Sequence, residues 1–186
     1  MGPTDVPTAY MVQVAEMESG GNPHAQSKNS SAAGLYQFTR DTWDKLRRQN
    51  PQLNLTASGR LDPEQSDRAF RLFTAQNATL LAKTLGRDPV NGELYLAHFL
   101  GGLGATRILT ASPNTPLVQI VGANVMHRNR FLSSIRTTGT LRSWAIKIFA
   151  APHSTAKVQH RDGRWADALN ETELNRVKEP KDEAAR

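Results

Sequence analysis

At 186 residues with 38% apolar content, the chain can bury a core of its own, and with no run of about 18 apolar residues it contains no membrane span. It has no cysteine, which excludes a disulfide framework, a thiolate metal site and a cysteine nucleophile. The formal charge of +6 falls on residues 1–151, where 16 Lys and Arg face 10 Asp and Glu, while residues 152–186 balance at 7 against 7. A basic domain favours polyanions such as nucleic acid, a membrane surface or the acidic polymers of a bacterial wall, with solubility alone as the plainer reading.

In chain order, Thr4 or Asp5 is predicted to cap a first helix that runs to about Ser19 and closes on Gly20-Gly21. The segment "TRDTWDKLRRQN" reads as a second helix capped by Thr39, with Trp43 and Leu46 inward and Asn50-Pro51 as its stop. A third and longest helix follows Asp62-Pro63, carries apolar residues at 69, 70, 73, 80 and 81, and ends at Gly86. Asn91-Gly92 opens "GELYLAHFLGG", and shorter helices are expected around 104–110, 116–123, 128–135 and 140–150. Nothing alternates with a two-residue period, so a sheet is at most a small hairpin in the 51–61 loop. Residues 152–186 are charged and lack an apolar stripe, and read as a tail or linker.

Met11, Val14, Ala15 and Glu18 stand at i, i+3, i+4 and i+7, on one face of the first helix. A carboxyl ending that stripe loses solvent and faces the negative end of the helix dipole, and both effects raise its pKa. An acid kept protonated near neutral pH is what general-acid cleavage of a glycosidic bond requires. Glu16 lies nearly opposite, toward solvent. By spacing alone, Glu18 reads rather as a boundary glutamate half in water.

The stretch "ESGGNPHAQS", Glu18 to Ser27, followed by "GLYQF", Gly34 to Phe38, resembles the signature of the soluble-type lytic transglycosylases, which share a goose-type lysozyme fold. The resemblance implies a mainly α, lysozyme-like domain over residues 1–151. It implies Glu18 as the single catalytic acid/base, Ser27 against the sugar N-acetyl region, and Gln37 lining the cleft. Tyr36 stands where the family usually has Met, and offers a surface on which a sugar can stack. A third family element, Ala-Tyr-Asn-Ala-Gly, is matched loosely by "YLAHFLG": Ala97 and Gly101 align, while His98 and Phe99 stand in place of Tyr and Asn. The family tyrosine positions the catalytic carboxyl, a task open here to His98 or to Tyr95 one turn earlier. As plain residues, Tyr95 and Phe99 are core and His98 is a satisfied core histidine. The groove is expected between the first helix, the 20–38 loop and the 92–104 region, with Glu18 at its base.

No second carboxylate stands at recognisable spacing, since Asp41, Asp44 and Asp62 fit first-turn or capping positions. A single carboxylate suffices if the substrate's own acetamido oxygen attacks the anomeric carbon. The implied reaction is cleavage of peptidoglycan glycan strands between MurNAc and GlcNAc with 1,6-anhydro ends. A hydrolytic muramidase of the same fold, or a non-catalytic wall-binding or virion-structural domain, are the alternatives. No cofactor or metal is expected, because His24, His98, His127, His153 and His160 lack ligand spacing and "GGLG" at 101–104 is no phosphate loop. Dispersed basic residues without a recognised motif argue against specific nucleic-acid binding. The N-terminus lacks a basic region followed by an apolar segment, so no signal peptide is read. Action in the periplasm or wall would then require another delivery route, with virion or secretion-apparatus proteins as further partners.

Overall fold

The computed structural model describes Gly2 and residues 5–150, and the expected tail at 152–186 lies outside them. Among the described residues the architecture is helical: α1 (Thr8–Ser19), α2 (Arg40–Gln49), α3 (Pro63–Leu85), α4 (Asn91–Thr110), α5 (Leu117–Val121), α6 (Ala123–Arg128) and α7 (Thr138–Ala150). Short 3₁₀ turns occupy Pro51–Leu53, Gly59–Leu61 and Arg130–Ser134. This mainly α architecture agrees with the expected lysozyme-like class.

Local chemistry sets the helix boundaries. Thr39 Oγ1 accepts the Thr42 N–H at 3.3 Å, and Asp62 accepts the Gln65 N–H at 3.0 Å, so each cap satisfies an otherwise unpaired donor. α1 begins at Thr8, later than the expected caps at Thr4 or Asp5, with Pro7 in extended geometry as its N-cap. Pro7 also disfavours helical geometry at the residue before it, which stops the helix extending further back. Instead of a hairpin, residues 51–61 hold two 3₁₀ turns, and isolated antiparallel bridges fall within the earlier loop, Gln26 to Ala33 and Ala33 to Phe38.

Two apolar clusters form the core. One gathers α1, the 32–38 loop, α2 and the first half of α3 around Tyr10, Tyr36, Trp43 and Phe70; the other joins the end of α3 to α4 through α7. α4 packs on both α3 and α7 and runs through the middle. It breaks at Gly101, whose φ of 72° and ψ of 160° are non-helical and favour glycine. No helix of the described residues is long and apolar enough to cross a membrane.

Candidate active site

The last turn of α1 and the first turns of α4 meet inside the molecule. Glu18 keeps only 6% of its side-chain exposure, and Tyr95 Oη donates to Glu18 Oε1 at 3.0 Å. Burial pushes the Glu18 pKa up to about 8, against the opposing pull of the Tyr95 hydrogen bond. The Tyr95 hydroxyl is itself driven well above its ordinary range by burial and by the neighbouring carboxyl, so it stays protonated and can donate.

His98, one turn beyond Tyr95, places Nε2 3.7 Å from Glu18 Oε1. Its ring is enclosed by Phe38, Phe70 and Phe73 at centroid distances of 6.0, 5.5 and 6.0 Å. Burial pulls its pKa down to about 4. Between about pH 4 and pH 8 both partners are therefore neutral, and their proximity is not a salt bridge. Nδ1 is buried without a well-formed hydrogen bond, although the Tyr36 backbone lies near enough to favour a proton on the ring.

A groove of about 620 Å³ opens beside this group. One wall is α2, the other is α3 at Phe73, Gln76 and Asn77, and the floor includes Gln37, Phe38, His98 and Gly101. The wall expected from α1 is absent: no α1 residue lines the groove, and Glu18 adjoins it through His98. α2 supplies the wall instead.

The 20–38 loop is stapled to itself. Gly34 N–H donates to the Ala25 carbonyl at 2.9 Å, Ala33 N–H to Phe38 at 3.1 Å and Ser27 N–H to Ala32 at 2.9 Å. Gln37, with φ of 48°, turns its amide onto the Gly34 carbonyl at 2.8 Å while still lining the groove. Ser27 is half-buried on the loop, its Oγ accepting from Asn29 N–H at 3.3 Å, and is not among the groove-lining residues.

Tyr36 requires a correction. Its ring is 3% exposed and stacked on Phe70 at 4.0 Å, and its hydroxyl donates to Asp67 at 2.7 Å. Stacked on Phe70 and almost fully buried, the ring offers a sugar no stacking surface. The structure thus brings Glu18, Tyr95 and His98 together, sets Gln37 on the same groove as His98, and leaves Ser27 and Tyr36 apart from it.

Sequence reasoning missed Tyr10. It is 1% exposed, its hydroxyl has no hydrogen-bond partner among the described residues, and its ionisation is opposed by burial and by Glu18. Tyr10, Val14 and Glu18 stand at i, i+4 and i+8, a stripe that was available as the signal.

Because the Tyr95 bond lowers the Glu18 pKa, Tyr95→Phe is expected to move it higher still. A pH–rate profile of the variant should show the alkaline limb displaced upward together with a slower rate. An unmoved limb would mean that the bond has no bearing on the acid.

Residues 3–79 match the family model described as Transglycosylase SLT domain. Proteins named "Probable transglycosylase SceD" from Staphylococcus aureus strains Newman, USA300 and N315 are each 53% identical over 38 residues, which is 20% of this chain and 16% of the relative. The chain thus matches only about a sixth of the length of these curated relatives. The family match ends before Tyr95 and His98, where the third element departs from its pattern. Over residues 3–79, covering α1, α2 and most of α3, the chain matches the transglycosylase SLT domain family, in agreement with the motif resemblance.

Proposed function

We propose that this protein is a peptidoglycan lytic transglycosylase in which Glu18 is the sole acid/base. The observation that carries the reading is a buried carboxyl, protonated up to about pH 8 and held by a tyrosine, beside an open groove. The SLT family match and the transglycosylase names of the relatives support the enzyme class.

Glu18 gives its proton to the glycosidic oxygen as the bond from MurNAc C1 breaks. The substrate's 2-acetamido oxygen attacks C1 and holds the positive charge as a cyclic intermediate. The Glu18 carboxylate, received by the Tyr95 hydroxyl, then removes the proton from the C6 hydroxyl, and O6 displaces the acetamido oxygen from C1. The ring closes as a 1,6-anhydro sugar, and Glu18 regains its proton. In this scheme His98 and Gln37 contact the sugar from the groove floor, and Ser27 bears on the site only through the loop it closes. The wall compartment is where such an enzyme would act.

Mass spectrometry of products from purified peptidoglycan tests the reading. Anhydro-muropeptides are the expected result; reducing ends would identify a muramidase, and no cleavage would identify a wall-binding domain.

A further inference from the structure

The two sides of the groove differ in charge. Its floor and α3 wall are uncharged, with Phe38, Phe73, Gln76, Asn77 and neutral His98. The α2 wall instead presents Asp41, Asp44, Lys45 and Arg48 to the same space. These residues recur at i, i+3, i+4 and i+7, so one helical stripe faces the groove, while Trp43 is turned into the core at 0% exposure. Asp44 is engaged by Arg47 at 3.3 Å. Arg48 is exposed and makes no ion pair among the described residues.

Where its lactyl carboxyl is amidated to a peptide stem, the glycan backbone offers hydroxyl and acetamido groups and no fixed charge, which suits the neutral floor. The peptide stem attached to its lactyl ether carries carboxylates and amines, and these suit a wall that is acidic at one end, Asp41 and Asp44, and basic at the other, Lys45 and Arg48. We infer that the α2 wall reads the peptide stem of the substrate, with the Arg48 guanidinium taking a stem carboxylate, so that the groove selects peptide-bearing strands over stripped ones. The inference rests on the lytic reading above.

The test uses the 186-residue chain on purified glycan strands, either with stems intact or after an amidase has removed them and left the lactyl carboxylate. Released saccharides are quantified to give kcat/KM. Wild type is expected to prefer intact strands by up to about fivefold, the upper end for one solvent-accessible charge contact. Arg48→Gln should lose that preference by falling on intact strands alone, and Arg48→Lys should restore part of it. An unchanged melting temperature would show that the variants are folded. Equal wild-type rates on both substrates would overturn the inference while leaving the lytic reading intact. An equal loss by Arg48→Gln on both would assign Arg48 to the sugar and also overturn it. Cleavage of neither substrate by wild type would remove the lytic reading and the inference together.

Discussion

Glu18→Gln is expected to slow strand cleavage by about 10² to 10⁴-fold, the usual contribution of a general acid, while raising stability at pH 7. The gain follows from the protonation state: an unfolded glutamate is ionised at neutral pH and must take up a proton to fold, and glutamine need not. With a pKa of about 8, the native side chain is mostly an uncharged acid at neutral pH, and glutamine reproduces its volume and its acceptor for Tyr95.

The pH dependence gives the same prediction a second readout. Native Glu18 holds its proton to about pH 8 and an ordinary glutamate only to 4.5, so this group takes up a proton on folding and stability falls as pH rises through that window. His98 acts oppositely: native, it is neutral down to about pH 4, whereas its ordinary value is 6.5, so stability rises with pH between those values. The two slopes offset each other from 4.5 to 6.5, and from 6.5 to about 8 Glu18 acts alone. Wild type should therefore melt lower at pH 8 than at pH 6.5, and Glu18→Gln should not. Retained lysis in the variant would move the acid elsewhere; an unchanged pH 8 deficit would show that Glu18 is ionised in the native protein.

Gly34→Ala is expected to destabilise the protein by on the order of 3 kcal/mol, combining left-handed strain with overpacking. Gly34 has φ of 82°, and a Cβ there would lie 1.8 Å from the Arg60 carbonyl oxygen, a backbone atom that cannot move alone. Arg60 also donates from its guanidinium to the Ser31 and Phe38 carbonyls, so the loop is clamped against it from two sides. Relief of the clash must shift the segment bearing Gln37 and Phe38, and lysis should fall with stability. Urea unfolding measures the first and product release the second. A variant as stable as wild type would contradict the close approach.

What could be read in advance was local. Thr39, Asp62 and Gly86 act within one turn of themselves, so their sequence neighbours were enough to assign them. The stripe placed Glu18 at the edge of the core face, and its enclosure comes from Tyr95 and His98, far along the chain. Tyr36 was misjudged because its surroundings come from Phe70 and Asp67, more than thirty residues away, and an aromatic in a loop motif looks the same whether stacked on a sugar or on a core ring. The groove walls were illegible for a similar reason: which face of α2 meets α3 depends on how Trp43 seats in the core, with its indole N–H on the Thr56 carbonyl at 2.8 Å. Between Tyr95 and His98, residue type could not decide which holds the carboxyl; the 3.0 Å and 3.7 Å separations distinguish them.

The hydrogen bond between Glu18 and Tyr95 joins residues 77 positions apart. Closing so long a loop is a late event relative to forming α1 itself, which needs only its own turns. A nascent or half-folded chain consequently carries an ordinary, ionised glutamate at neutral pH, unable to donate a proton to a glycan. The acid comes into being only when α4 has docked on α1 and shut out water. On the lytic reading proposed above, chemical competence would then mark complete folding, because an incompletely folded copy holds no protonated carboxyl at neutral pH.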